Sequence, residues 1–117
     1  VLGLMSGDTL RGYAVYRLGP ELLPRLGLLV DWLVLPGDTE ASAALLEGVL
    51  ACARADGALA LAGAFPEWSP WSLDFQERGF RHHPSAHVEL VRGSVGRFDM
   101  LWLRDAWWST LADALFL

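Results

Sequence analysis

The chain has 117 residues, of which 53% are hydrophobic and 20% charged. This composition excludes a disordered chain, and the length fits one domain with a buried core. The net charge of −5 and the scatter of the arginines along the chain argue against a nucleic-acid partner, because nucleic-acid binders cluster basic residues on one face.

The first predicted element is a β-hairpin. Residues 1–5 form a short apolar strand, and Ser6-Gly7-Asp8-Thr9 has the residues that reverse a chain. Residues 10–18 form the second strand, with Tyr13 and Val15 on one face and the intervening residues on the other. Because the chain begins inside an apolar strand, we expect further residues upstream.

The next predicted strand, residues 28–35, is apolar except at Asp31, so we expect it at the centre of the sheet. The longer apolar run that contains it is interrupted by proline and charged residues and is too short to span a bilayer. We find no secretory signal, and Cys52 is the only cysteine, which excludes an intrachain disulfide. We therefore expect a cytoplasmic protein without a membrane partner.

A helix is predicted from about Thr39 to Asp56, after the turn Pro36-Gly37-Asp38. Asp38 or Thr39 can act as its N-cap, and Gly57 stands at the C′ position. Residues 58–65 read as a second buried strand, which completes a βαβ unit with parallel strands. The apolar spacing of the helix predicts one buried face, formed by Leu45, Leu46, Val49, Leu50 and Ala53.

A second helix is predicted to start at Ser69-Pro70 and to end at Gly79, with Trp71 and Phe75 on one stripe. Residues 87–92 and 98–103 alternate as paired antiparallel strands around a turn. The element order is therefore β-β-β-α-β-α-β-β. It predicts a single α/β (α+β) domain with a mixed sheet over residues 1–117.

The junction between the central strand and the first helix, residues 27–46, is the first candidate site. A helix N-terminus presents unpaired backbone N–H groups and a positive dipole end, which suits a phosphate-bearing ligand.

Three short segments stand out against this order of elements: Gly12-Tyr13-Ala14-Val15, Val34-Leu35-Pro36 and Phe75-Gln76-Glu77-Arg78-Gly79-Phe80. Together with the order of elements, they resemble the Gcn5-related N-acetyltransferase superfamily (GNAT), entered at its second strand. The resemblance covers residues 1–103 and lacks the family's first strand and first helices, so it implies that the chain is the C-terminal portion of a longer domain.

The resemblance implies an N-acyltransferase that moves an acetyl group from acetyl-CoA to a small amine. It assigns the pantetheine arm to the backbone of Trp32, Leu33 and Val34. It assigns the pyrophosphate to the backbone amides of Gly37, Asp38, Thr39 and Glu40.

The sequence departs from the family pattern at two places. The turn has one glycine, no basic residue and the two carboxylates of Asp38 and Glu40, each of which would repel a pyrophosphate by roughly 1 kcal/mol in water-like surroundings. Phe75 stands where the family usually has the tyrosine that protonates the leaving thiolate. Asp31 or Glu67 could still act as a general base, because apolar surroundings raise the pKa of a carboxyl group. A structural, hydrogen-bonded Asp31 is the alternative.

Two functions therefore stay open: an N-acyltransferase, and an inactive GNAT-fold domain that pairs with another domain or with a second copy. A sugar-binding surface would require Trp68 and Trp71 to be exposed. If an upstream segment normally covers the tryptophans, their exposure would favour dimerisation. The group His82, His83, His87 and Glu89 is too spread out on an extended segment to hold an ion, so no metal site is expected.

Overall fold

The structure is a computed structural model that describes residues 1–21, 25–83 and 110–111. These residues form a mixed α/β fold with one four-stranded sheet and two helices. Neither helix is long and apolar enough to cross a membrane. The strands are β1 (Leu2–Ser6), β2 (Thr9–Leu18), β3 (Leu26–Val34) and β4 (Ala60–Gly63), and the helices are α1 (Thr39–Ala55) and α2 (Pro70–Glu77).

The sheet has the spatial order β1-β2-β3-β4, with β1 and β3 antiparallel to β2 and with β4 parallel to β3. The predicted hairpin and the predicted βαβ unit are both present, and β3 lies between two strands as expected. The prediction of a buried strand over residues 58–65 is wrong in length and burial. β4 has four residues, and both its ends, Ala60 and Gly63, are exposed because it pairs on one side only within the described residues.

Two irregularities in strand pairing change which way side chains point. Leu4 pairs with Gly12 and Met5 with Leu10, so Arg11 is an extra residue on β2. In the same way Val30 is an extra residue on β3, because the register shifts there. A bulge interrupts the alternation of side chains between the two faces of a sheet. The alternation predicted for residues 10–18 therefore holds only after Arg11.

The helix α1 packs on one face of the sheet and approaches β2 closely at Gly12. A Cβ atom at Gly12 would lie 2.8 Å from the backbone oxygen of Leu33 and 3.1 Å from a methyl carbon of Leu45 on α1. Only glycine allows this spacing without a shift of backbone. Leu50 is half-buried rather than buried. The buried residues of α1 are Ala41, Ser42, Leu45, Leu46, Val49 and Ala53.

Both helices have the predicted caps. The side chain of Asp38 accepts a hydrogen bond from the amide of Ala41, and that of Ser69 accepts one from the amide of Trp71. Gly57 and Gly79 stand at the C′ positions after the two helices, with φ angles of +71° and +93°. At each end the amides of the glycine and of the next residue donate back to the last turn, which is the Schellman arrangement.

The chain divides into two compact units, Val1–Ala64 with Ser109–Leu117, and Phe65–Trp108. The first contains the whole sheet and α1. The second contains α2, whose Phe75 lies with its ring centroid 5.0 Å from that of Phe65 and 4.9 Å from that of Phe80. The strands predicted at 87–92 and 98–103 lie outside the described residues, and the single domain over residues 1–117 stays a prediction.

Candidate functional site

The candidate site lies in the first unit, along the second half of β3 and the turn that follows it. Two groups of polar side chains are found there. One is centred on Asp31, and the other surrounds the N-terminus of α1.

Asp31 carries a carboxylate that is held by three neutral donors. The Tyr13 hydroxyl donates to Oδ2 at 2.8 Å, and the Thr110 hydroxyl and the Trp32 amide donate to Oδ1 at 3.2 Å and 2.9 Å. The register explains the tyrosine contact, since Val15 pairs with Asp31 and a residue two positions along β2 is its diagonal neighbour. The arrangement fixes the carboxylate on the face of the sheet.

The contact also changes the chemistry of Tyr13. Its hydrogen bond to Asp31, together with partial desolvation, raises the pKa of the Tyr13 phenol above its ordinary value of 10.0. The phenol therefore stays protonated at neutral pH and acts as a donor to the carboxylate. Described residues occupy three of the about four lone-pair positions of the Asp31 carboxylate, so among them one position is left for a further donor.

The second half of β3 has one unpaired edge among the described residues. β4 pairs with β3 only from Leu26 to Leu29, whereas β3 continues to Val34. Between residues 30 and 34, the N–H and C=O groups of β3 that point away from β2 therefore have no strand beside them in the described part of the chain. The three residues predicted to hold a pantetheine arm lie here: Trp32 and Val34 have buried side chains, and Leu33 has an exposed one.

At the N-terminus of α1, an arginine from β2 meets the two carboxylates of the turn. The guanidinium of Arg11 binds Asp38 through two atoms, with Nε 3.0 Å from Oδ2 and Nη2 2.5 Å from Oδ1. Its Nη2 also lies 3.0 Å from Oε2 of Glu40. The bulge at Arg11 makes this contact available, because it turns the side chain toward the face that carries α1.

These contacts shift two pKa values in opposite directions. The hydrogen bonds from Arg11 and from the amide of Ala41 lower the pKa of Asp38 below its ordinary value of 3.8. The hydrogen bonds to Asp38 and Glu40 raise the pKa of Arg11. The turn itself contains no basic residue, as its sequence shows, but Arg11, 27 positions before Asp38, pairs with both carboxylates and offsets one of their two charges.

Two of the four amides assigned to a pyrophosphate already have acceptors. The amide of Asp38 donates to the oxygen of Leu35, and that of Thr39 to the oxygen of Gly37, each at 3.0 Å. Gly37 has a φ of +87° and is exposed, as is Glu40. The role of all four residues stays a prediction.

The remaining candidates lie in the second unit. Glu67 is exposed on the turn before α2, without the apolar enclosure assumed for a base, and its role stays a prediction. Trp71 is only 5% exposed, so the sugar-binding surface that required it is wrong. His82 and His83 are exposed, His87 and Glu89 lie outside the described residues, and no group of metal ligands occurs in the part that the structure describes.

Three residues of the site are not predicted by the sequence. Tyr13 shares a face of β2 with Val15, as the alternation predicts, but the alternation does not indicate its partner. Arg11 and Thr110 carry no local signal, because their contacts join positions 27 and 79 residues apart. The local structural feature at Arg11 is the bulge in β2, and the residues around Arg11 do not predict a bulge at this position.

The described residues therefore define an α/β protein with an antiparallel hairpin, a parallel βαβ unit and a carboxylate on the open end of the central strand. No family model, curated protein or solved structure matches the chain.

Proposed function

We propose that the chain is a GNAT-like N-acyltransferase domain that transfers an acetyl group from acetyl-CoA to an amine. The observation that carries the proposal is the separation of β3 from β4. The two strands pair over four residues. Beyond these residues β3 continues to Val34, and the edge that faces away from β2 has no neighbouring strand among the described residues. Such an edge can pair with the amide groups of an extended ligand, as an added strand would.

The fit of acetyl-CoA to these residues differs between its two ends. The open edge of β3 suits the pantetheine arm at Val34 only. The backbone groups of Leu33 point toward its partner Tyr13 on β2, and the amide of Trp32 already donates to Asp31. The turn at the start of α1 does not suit the pyrophosphate as it stands. Its carboxylates are bound to Arg11, and two of its amides donate within the turn. We therefore assign the nucleotide half of the ligand no role in binding.

Asp31 is the residue to which we assign acid–base chemistry. An ammonium that becomes an amide must lose two protons, and a positioned carboxylate can accept one of them. The carbon–sulfur bond of the thioester breaks as the amide bond forms, and the leaving thiolate takes the second proton and departs as the thiol. Tyr13 and Thr110 hold the two oxygens of Asp31 in place and so act as positioning residues. General-base catalysis of this kind contributes about 10²- to 10⁴-fold in rate.

An inactive domain of the same fold is the second candidate. Two observations favour it: the internal ion pairs at the start of α1, and the position of Phe75. The ring of Phe75 packs against Phe65 and Phe80 and has no proton to donate. In this case the edge of β3 would serve only to bind a ligand or another chain.

Calorimetric titration of the 117-residue chain tests the proposal. We expect acetyl-CoA and S-acetylpantetheine to bind with similar affinity, because the turn makes no use of the pyrophosphate. No heat from either ligand at millimolar concentration would contradict the proposed function. Much tighter binding of acetyl-CoA would show instead that the turn rearranges to hold the phosphates.

Thiol release in the presence of an amine separates the two candidates. We expect turnover by the unchanged chain and a loss of about 10²-fold or more in kcat for Asp31→Asn. Asp8→Asn in the hairpin turn is the matched control and should leave kcat unchanged. Binding of the thioester without turnover supports the inactive domain.

A further inference from the structure

A second feature of the sheet lies on the face opposite to α1. The face that carries α1 is identified by Gly12, whose added Cβ would touch both Leu45 of α1 and Val34 of β3. Tyr13 and Leu33 are the chain neighbours of Gly12 and Val34, and they pair with each other. Because side chains alternate along a strand, both point to the opposite face, together with Asp31.

Three large apolar side chains on this opposite face are exposed. Leu33 is 53% exposed, Leu10 is 55% and Met5 is 54%. Met5 pairs with Leu10, and a methyl carbon of Leu10 lies 3.5 Å from a Cβ placed on Gly3, the partner of Tyr13. Tyr13 therefore lies between Leu33 on one side and the Met5–Leu10 pair on the other. We call Met5, Leu10 and Leu33 the apolar patch.

The charge of Asp31 has no counterpart beside the patch. Its three partners are neutral donors, and no cation pairs with it among the residues that the structure describes. A half-buried carboxylate next to apolar surface is stabilised by a cation that also covers that surface. Leu33 lies two residues from Asp31, which is about 6.6 Å along a strand.

From this arrangement we propose that the face binds a primary amine carried on an apolar body, with the ammonium on Oδ2 of Asp31 and the apolar part over Leu33. This names the class of acyl acceptor, and in that respect it rests on the proposed function. The binding step itself requires no acyl donor. A short polar amine lacks the part that covers Leu33 and binds more weakly.

Binding of hexylamine to the 117-residue chain, without any acyl donor, tests the inference by calorimetry. We expect saturable binding of hexylamine at neutral pH and little or none of hexan-1-ol, hexanoate or methylamine. Asp31→Asn should weaken hexylamine binding by about tenfold or more, because a charge-assisted contact is lost. Circular dichroism checks that this variant remains folded.

Two exposed leucines provide a pair of variants that leave the buried core unchanged, so the folding of both variants should be preserved. Leu33→Ser should weaken hexylamine binding by about threefold, since apolar contact is lost. Leu59→Ser is the matched control, because Leu59 is 74% exposed but precedes β4, and it should leave binding unchanged. Equal binding of hexan-1-ol, or equal loss in both leucine variants, overturns the inference.

The two proposals fail separately. Hexylamine binding without thiol release would retain the amine site and contradict acyl transfer. Thiol release with methylamine, without preference for hexylamine, would retain acyl transfer and contradict the apolar amine as its acceptor.

Discussion

At the scale of single residues, Asp38 has two roles, one with a partner nearby in the sequence and one with a distant partner. Its role as N-cap is local, since its side chain accepts from an amide three positions later. Its role as the partner of Arg11 is tertiary, and it brings a positive charge to a turn that contains none. Both contacts favour the ionised carboxylate, so they add to each other.

The change Arg11→Gln should raise the pKa of Asp38 toward its ordinary value of 3.8. In the unchanged chain this pKa is lowered, so the stabilising contribution of the ionised group is present above the unfolded pKa and is lost as pH falls through the folded one. The variant should therefore lose less stability between pH 5 and strongly acidic pH. Carbon-13 NMR of the carboxyl group measures the pKa, and urea unfolding measures stability.

Arg78→Gln is the control for this experiment. Arg78 pairs with Asp74 one helical turn earlier, so the variant removes an arginine and an ion pair without touching the pair of Arg11. An Asp38 pKa that is the same in all three proteins would contradict the role given to Arg11.

At the scale of elements, each helix is followed by a glycine and an apolar residue whose amides cap its C-terminus. The segment ending in Gly79-Phe80, which carries part of the resemblance to the acetyltransferase family, forms a Schellman cap. The Phe80 amide donates to the oxygen of Phe75, and their rings are in contact. Glycine and an apolar residue are required here by the cap itself, whatever the chain does. This segment alone is therefore weak evidence for catalysis.

The same cap follows α1, so a substitution at Gly57 should lower stability. Gly57→Ala should lower the free energy of unfolding by about 1 kcal/mol, because alanine is strained at positive φ. Nothing lies within 4 Å of a Cβ placed there, so steric overlap adds no further cost. Chemical denaturation followed by circular dichroism provides the measurement.

Gly57→Asn is the matched variant, since asparagine tolerates this backbone conformation better than alanine does. We expect its loss of stability to be the smaller of the two. If alanine were as stable as glycine, the positive φ assigned to this position would be incorrect.

At the scale of the whole molecule, burial is uneven in the first unit. The side of the sheet covered by α1 contains the buried residues Ala14, Trp32 and Val34, whereas the opposite side presents the apolar patch. β4 pairs with β3 over only four residues and is partly exposed. Most of the buried residues of the first unit therefore lie in the layer between α1 and the sheet.

A pair of leucines tests this distribution. Leu46→Ala should lower the free energy of unfolding by about 2–5 kcal/mol, because Leu46 is 3% exposed and its loss leaves a cavity. Leu59→Ala, at an exposed position, should change it by less than about 0.5 kcal/mol. Urea denaturation compares the two. Similar losses in both variants would contradict the placement of the core.

Much of the described fold was predictable because the signals are local. The hairpin turn, both N-caps, both terminal glycines and the central place of β3 follow from residues adjacent in the chain. Asp31 was also predictable as the one charged residue in an apolar strand. What the sequence did not indicate was its environment, since Tyr13 and Thr110 are 18 and 79 residues away.

The sequence by itself determined the order and the approximate positions of the described strands and helices, because caps, turns and apolar periodicity act over a few residues. Only the tertiary structure decided that Arg11 meets Asp38 and Glu40, that β4 is short and exposed, and that Asp31 adjoins an apolar patch. These outcomes depend on bulges and strand register. A one-residue shift in register moves a side chain to the other face of a sheet, and no short segment of sequence specifies that shift.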